Sequence, residues 1–416
     1  MANNERVHYE WGIVILLALL GGLFMMNRLA IVYLFPFIIP EFEMSYAQAG
    51  GLTSILAITT AFAIWFFGGL SDRIGRKIIL IPATVFFSLM SWFSGITTSL
   101  TQMFWSRGLM GIGIGAVLPP SIATIAIEST PSRRGLNFGI QQALGPLISI
   151  GIGAILVTQL TKVMSWRMVF FVVGIPGLLI SIILYLYMRE PRPRPMIEGK
   201  VNTIEEGLPE KPGFFTPLKY RNVIVSSAVN FLMMCCLFVF ATFSIVYLTK
   251  EIHLPLSEAG FLLSLLGFSG FFGCILLPLL SDHIGRKPVV ISSLFVTGLC
   301  FWGFILSGSN HTLLALSVSI AGFAIGGIGP IALSALTTES VPPYLAATAS
   351  GIPASFGEIF GSALMPFVAG YLSDLYGLKT ALIFSAAAPL IGGIVGFLYK
   401  ETAPKIVAKK AVPATP

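Results

Sequence analysis

Charged residues are scarce in this chain of 416 residues, making up 10% of the sequence against 55% hydrophobic residues. A soluble globular protein carries about 25% charged residues, so this composition excludes one. The mean hydropathy of +0.88 agrees, and apolar runs of the ~20 residues that a helix needs to cross a bilayer recur along the chain. The sequence therefore predicts an all-α protein of the lipid bilayer. Its net charge of +7 fits basic loops at a membrane, and we expect no nucleic-acid partner.

Histidine and cysteine are also rare, and their positions exclude several kinds of site. The four histidines all fall in loops or near the chain start: His8, His253, His283 and His311. A His-based triad or metal cluster therefore cannot assemble within the membrane. The four cysteines lie in apolar runs without the spacing of a zinc site or a disulfide framework. Since the phosphate-binding pattern GxxxxGK[ST] is also missing, we expect no enzyme, no cofactor and no ATP-driven pump.

Twelve apolar segments are long enough to cross a bilayer. We predict spans at 12–38, 46–69, 78–97, 101–128, 136–160, 166–188, 222–248, 256–280, 288–308, 312–337, 346–372 and 377–399. A segment rich in proline and charge separates six spans from six. The predicted organisation is an N-terminal half 1–188, a cytoplasmic linker 189–221, a C-terminal half 222–400 and a cytoplasmic tail 401–416.

Lysine and arginine are distributed unevenly between the two sides of the predicted spans. If both termini are cytoplasmic, 19 of the 25 basic residues lie in cytoplasmic segments. Cytoplasmic loops of membrane proteins carry such an excess. We therefore expect a multi-pass protein of the cytoplasmic membrane with both termini inside, and we expect it to be a monomer.

The two halves repeat each other in sequence. SDRIGRKIIL at 71–80 matches SDHIGRKPVV at 281–290, and ESTPSRRGLNFGI at 128–140 matches ESVPPYLAATASGI at 339–352. Internal repeats of this kind are typical of secondary transporters, whose binding site lies near mid-membrane between the repeats. The repeat thus predicts a transporter of two similar six-helix halves.

The loop GGLSDRIGRK resembles the signature loop of the major facilitator superfamily. Its pattern is filled by Gly68, Asp72, Arg73, Gly75, Arg76 and Lys77. The second copy keeps Asp282, Gly285, Arg286 and Lys287, but has Pro278 and His283 where the pattern has Gly and Arg. The resemblance implies the major facilitator fold, with twelve helices in two pseudo-symmetric halves. It also implies that these residues gate the transporter by latching the cytoplasmic ends of the halves in the outward-open state; a plain basic loop is the alternative.

Three charged residues stand inside predicted spans, where a charge costs roughly 2.5–3.5 kcal/mol on insertion scales. They are Arg28, Arg107 and Glu358. The resemblance implies that both arginines face a central cavity with Glu358 opposite. Arg28 then either binds an anionic substrate, as a guanidinium binds carboxylates, or pairs with Glu358. Arg107 either contacts substrate or has a structural or coupling role, while Glu358 carries a proton, pairs with a charge or recognises a cation.

A narrower resemblance concerns the substrate. Asn27, Arg28 and Arg107 resemble the Asp-Arg pair of the first helix and the arginine of the fourth in the organic anion:cation symporter branch. Because Asn27 cannot titrate, proton coupling would need another acid, such as Glu358. Further candidates for substrate binding, about half of which we expect to be structural, are Tyr33, Gln141, Gln142, Asn230 and Tyr247.

These features together predict a secondary active transporter. We expect it to move a small organic anion, a carboxylate or a sugar acid, by proton-coupled alternating access. A proton-coupled drug exporter is the alternative, since Gly145-Pro146 resembles the Gly-Pro kink of the drug-antiporter branch. A transporter of sugars or other neutral metabolites is less favoured.

Overall fold

The computed structural model describes residues 2–130, 133–190, 216–342, 345–404 and 406, which form helices and no strand. Most of the predicted linker and tail lie outside these residues. Among the described residues, twelve helices are long and apolar enough to span a membrane, which agrees with the predicted number. They are α1 Val7–Glu41, α2 Tyr46–Ile74, α3 Arg76–Gly95, α4 Leu100–Glu128, α5 Arg134–Leu160, α6 Trp166–Tyr187, α7 Arg221–Lys250, α8 Leu256–Ile284, α9 Arg286–Leu306, α10 His311–Thr338, α11 Thr348–Tyr376 and α12 Lys379–Gly396.

Local sequence signals set several helix ends. Ser45 caps α2 by accepting a hydrogen bond from the backbone N–H of Gln48, whose side chain accepts one from Ser45 in return. Asn310 caps α10 in a similar way through its side-chain oxygen. Gly75 and Gly285 take φ angles of +112° and +119° between successive helices. Only glycine adopts such angles without strain, so both turns depend on it.

The packing of the two halves differs between the two membrane faces. We call the face where α1 begins and α12 ends the terminal face, and the opposite one the distal face. Near the distal face a single core joins both halves and includes Phe35, Phe170, Phe240 and Phe301. Near the terminal face each half has its own core. The halves are therefore closed against each other at the distal face and separate at the terminal face.

Glycines allow backbones of the two halves to touch near the distal face. A Cβ atom on Gly50 of α2 would lie 2.1 Å from the carbonyl oxygen of Pro366 in α11. One on Gly370 would lie 2.2 Å from the carbonyl oxygen of Tyr46. Between α5 and α8, a Cβ on Gly267 would lie 2.1 Å from the backbone nitrogen of Gly151. Small residues permit such close approach in membranes.

An acidic side chain adds to the closure of the distal face. Asp374, near the end of α11, accepts hydrogen bonds from the backbone N–H groups of Tyr46 (2.7 Å) and Ala47 (2.8 Å). These groups form the first turn of α2, whose N–H groups have no helical partner. The carboxylate thus caps a helix of the other half.

Three helices contain wider, π-helical turns: Leu147–Ile152 in α5, Pro330–Ala335 in α10 and Gly357–Leu364 in α11. Pro146 directly precedes the first and Pro330 begins the second, while Pro366 lies two residues after the third; a proline cannot donate a helical hydrogen bond. Turns of this type often mark functional sites. One of them carries Glu358.

Candidate functional site

A cavity of about 300 Å³ lies between the halves. Helices α1, α4 and α5 line it from one half, and α7, α8 and α10 from the other. Its walls are mainly apolar and include Phe24, Met25, Leu29, Leu118, Ile122, Met233, Met234, Leu237 and Phe238. Polar lining side chains are Gln141, Gln142 and Ser149. Because the cores of the halves are separate at the terminal face, the cavity opens there and is closed towards the distal face.

Arg28 and Glu358 form an ion pair that joins the two halves beside this cavity. The Nη1 atom of Arg28 lies 2.8 Å from Oε1 of Glu358. Nη2 of Arg28 donates to the Ser362 hydroxyl at 3.1 Å, and the guanidinium lies 4.2 Å from the ring centre of Phe238, a lining residue. Arg28 thus pairs with Glu358 in this state; whether it also binds substrate stays a prediction.

Glu358 is the more accessible partner of the pair. Its side chain is 20% exposed, against 7% for that of Arg28. Although Oε1 lies against Arg28, it accepts no hydrogen bond of good geometry from the described residues. The contact with Arg28 is therefore an ion pair without a well-aligned hydrogen bond. The sequence repeat does not require an acid here, since the matching residue is Pro146.

Arg107 does not line the cavity in this structure. It is completely buried within the N-terminal half. Its guanidinium donates to the Ser94 hydroxyl, lies 3.5 Å from the carbonyl oxygen of Asn27 and is 5.0 Å from the ring centre of Phe170. The expectation that both arginines face the cavity therefore does not describe this state.

The polar candidates divide into two groups. Gln141 and Gln142 line the cavity. Asn27 is buried and donates to the carbonyl oxygens of Leu23 (3.0 Å) and Val173 (3.3 Å), inside its own half.

Three further candidates are also buried away from the lining. Tyr33 donates to the carbonyl oxygen of Ser149 at 3.2 Å, and Asn230 donates to that of Pro353 at 2.8 Å. Tyr247 packs in the distal core. For all three, a substrate contact would need another conformation.

The loop at 68–77, called the first gate loop after its predicted role, is held within its own half. Arg76 pairs with Asp72 at 3.0 Å, while Arg73 is exposed. Glu190 accepts hydrogen bonds from the backbone N–H groups of Arg76 (2.7 Å) and Lys77 (3.0 Å), at the start of α3. A Cβ on Gly68 would meet no atom closer than 3.8 Å, so close approach at this glycine is not used in this state.

The loop at 278–287, the second gate loop, repeats this arrangement. Arg286 pairs with Asp282 and with Glu339. Glu401 accepts hydrogen bonds from the backbone N–H groups of Arg286 (2.8 Å) and Lys287 (3.1 Å). Neither loop forms an ion pair across the halves among the described residues. The latch stays a prediction, and it concerns a state in which the terminal face is closed.

The capping acids Glu190 and Glu401 were not among the residues that the sequence singled out. A signal for them was present, because REP at 189–191 and KET at 400–402 follow the sixth and twelfth helices in matching positions. The repeat therefore extends beyond the two gate loops. Asp374 had no such signal, since nothing in its segment indicates a partner in the other half.

The family model of the Major Facilitator Superfamily matches residues 17–359. The chain belongs to this superfamily. Major facilitator proteins are membrane transporters, so this chain is a multi-pass membrane transporter and not an enzyme. A bacterial homologue of the human lysosomal transporter Spinster, solved in an inward-facing and unoccupied conformation, superposes with a TM-score of 0.75 at 20% identity, covering 98% of this chain and 99% of that one. This likeness confirms the fold.

Relatives of this major facilitator protein carry names of several substrates. It is 26% identical to a probable 4-methylmuconolactone transporter of Cupriavidus pinatubonensis, over 84% of this chain and 81% of the relative. It is 25% identical to the 4-hydroxybenzoate transporter PcaK of Pseudomonas aeruginosa, over 93% of each. A multidrug efflux protein of Bacillus subtilis is 26% identical over 87% of this chain and 85% of its own. Two of these three relatives are named for small organic compounds, 4-methylmuconolactone and the aromatic acid 4-hydroxybenzoate, and one is named for drugs.

Proposed function

We propose that this protein is a secondary active transporter of a small organic monocarboxylate in the cytoplasmic membrane. The observation that carries the proposal is Arg28, whose guanidinium lies against Phe238, a lining residue of the mainly apolar cavity between the halves. A guanidinium binds a carboxylate through paired, charge-assisted hydrogen bonds. Relatives that are named for organic acids support the same substrate class.

The lining favours a compact aromatic acid over a sugar acid. A buried hydroxyl without a hydrogen-bond partner costs about 1–3 kcal/mol, so a polyol needs many polar neighbours. The polar side chains of the wall are Gln141, Gln142 and Ser149, and the Arg28–Glu358 pair lies beside it. Phe24, Phe238 and the methionines instead suit an aromatic ring, which gains free energy by burial.

Proton coupling follows from competition for Arg28. In this state Glu358 occupies the guanidinium that a substrate carboxylate would need. A proton on Glu358 removes its charge and releases Arg28 to the substrate. Proton and substrate thus favour each other's binding, as coupled ligands must reciprocally. Because Asn27 cannot titrate, Glu358 is the acid that we assign to coupling.

The two membrane faces fit one state of an alternating-access cycle. The distribution of basic residues supports cytoplasmic termini, and the terminal face is then the cytoplasmic one. The cavity therefore belongs to an inward-open state. We propose that the halves 1–188 and 222–400 rock against each other as a monomer, joined by the linker 189–221 and followed by the tail 401–416. The gate loops at 68–77 and 278–287 latch when the cytoplasmic face closes.

A binding experiment tests the anion site. The purified protein in detergent is heated with 4-hydroxybenzoate, D-galactonate or tetraphenylphosphonium, because a ligand of the folded state raises its melting temperature. We expect stabilisation by 4-hydroxybenzoate, with affinity lowered about 10- to 100-fold in Arg28→Gln through the loss of a charged hydrogen bond. Arg134→Gln, which changes an exposed arginine of the same half, is the matched control.

Each outcome of this experiment has a definite meaning. Stabilisation by the cation alone supports drug export and leaves Arg28 as a partner of Glu358. Stabilisation by D-galactonate alone keeps the anion site and overturns the aromatic preference. Binding of 4-hydroxybenzoate that is unchanged in Arg28→Gln overturns the assigned site.

A further inference from the structure

The surroundings of Arg107 contain no opposite charge. Its side chain is completely buried, and its polar neighbours are neutral: the Ser94 hydroxyl, the Asn27 carbonyl oxygen and the Met110 sulfur. None of the ion pairs among the described residues includes it. Its Nε atom is buried and lacks a hydrogen-bond acceptor.

Such an arrangement is costly, and that cost calls for an explanation. Burying a charge costs several kcal/mol unless it is paired. Most buried charges in proteins are paired for this reason. The residue whose backbone Arg107 contacts is Asn27, a buried amide whose Oδ1 atom has no hydrogen-bond donor among the described residues. An aspartate of the same shape would neutralise Arg107, and the chain does not place one there.

Arg107 lies behind the candidate site. Its guanidinium reaches α1 at the backbone of Asn27. The next two residues lie on other sides of α1, since each helix residue is turned by about 100° from the one before it: Arg28 contacts Phe238 and Leu29 lines the cavity. Arg107 and the Arg28–Glu358 pair thus approach α1 from different sides, and the width of a helix, about 10 Å, sets the order of their separation. Solvent ions cannot screen a charge in this position, because it is completely buried.

We propose that the unpaired charge of Arg107, preserved by the neutral Asn27, selects anions without touching them. This inference rests on the proposed function, because it concerns the same cavity. With Arg28 and Glu358 neutralising each other, Arg107 is the source of the positive potential that an entering carboxylate meets. A unit charge about 10 Å away at an effective dielectric constant of ~20 changes the binding constant by about tenfold or slightly more.

The test compares two substitutions of one residue. Affinity for 4-hydroxybenzoate is measured by isothermal titration calorimetry with the full-length protein in detergent. We expect Asn27→Asp to bind about tenfold more weakly than Asn27→Ser, because the new carboxylate pairs with Arg107. Both variants lose the amide donor of Asn27, so that loss cancels in the ratio of their affinities. Melting temperatures without ligand check that both are folded.

A second pair of variants separates charge from hydrogen bonding. We expect Arg107→Lys to retain affinity that Arg107→Gln loses about tenfold. Equal affinities of Asn27→Asp and Asn27→Ser, or equal losses in Arg107→Lys and Arg107→Gln, would overturn the inference. If the unchanged protein binds no carboxylate at all, the proposed function itself fails, which is a different result from either of these.

Discussion

Glu358 is the residue on which the proposed coupling depends, and glutamine tests it most directly. A glutamine side chain has the same shape and keeps an oxygen next to Arg28, so we expect Glu358→Gln to fold. It cannot carry a proton. In proteoliposomes we expect exchange of labelled for unlabelled 4-hydroxybenzoate to persist, whereas accumulation driven by a pH gradient fails.

The control for this variant is Glu251→Gln, which neutralises an exposed acid just beyond α7. It should accumulate substrate normally. Accumulation by Glu358→Gln against a concentration gradient would mean that another group carries the proton.

At the residue scale, the sequence showed which charges matter but not which way they point. Arg28, Arg107 and Glu358 stood out because charges are rare inside spans. Pairing of Arg28 with Glu358 was one of two open interpretations, and the structure has it in this state. The burial of Arg107 depends on the rotation of α4 about its axis. That rotation is set by packing between helices, which a single sequence does not reveal.

The contact between α2 and α11 is one of those that close the distal face. Its closest point is Gly50, where an added Cβ would lie 2.1 Å from a backbone oxygen that cannot rotate away. We expect Gly50→Ala to push the helices apart and to favour the state in which the distal face is open. Gly69→Ala on the same helix is the matched control, since an added Cβ there meets nothing within 4 Å.

Labelling measures this shift. Ala49 is completely buried on α2 near the distal face, so Ala49→Cys, in a chain whose native cysteines are replaced, reports opening towards a membrane-impermeant maleimide. We expect Gly50→Ala to raise the labelling rate severalfold and Gly69→Ala to leave it unchanged. Equal rates would show that this contact does not control the distal face.

At the element scale, the sequence predicted the helices and the turns between them better than it predicted side-chain contacts. Hydropathy alone identifies twelve helices because each must satisfy its own backbone within lipid. The turns at Gly75 and Gly285 follow from motifs whose glycines take positive φ angles. Contacts between elements were not predictable in the same way. Asp374 and Gly50 acquire their roles only from the backbone of the opposite half.

For the whole molecule, we expect the halves to move as two bodies about the joint core at the distal face, because each half has a core of its own at the terminal face. The conformation is not encoded in any single motif. The same sequence must supply the contacts that close the distal face and those that close the terminal face. A transporter must also hold its two open states at similar free energies. Hence the sequence could predict the architecture but not the state in which the chain is found.

The net charge of the residues inside the membrane determines whether the membrane potential can drive transport. Near mid-membrane the empty carrier holds Arg28, Arg107 and Glu358, with a net charge of +1. Binding one monocarboxylate and one proton leaves that charge unchanged, so loaded and empty carriers move the same charge in opposite directions. We therefore expect transport of one proton with one monocarboxylate to be electroneutral.

Proteoliposomes with a potassium gradient and valinomycin separate the two driving forces. A gradient of one pH unit is worth about 1.4 kcal/mol and should sustain about tenfold accumulation of 4-hydroxybenzoate. A membrane potential of 100 mV is worth about 2.3 kcal/mol per charge, or about fiftyfold. We expect the pH gradient to drive accumulation and the potential to leave its steady-state level unchanged. A change approaching fiftyfold would mean that one net charge moves per substrate, which a single proton on Glu358 cannot explain.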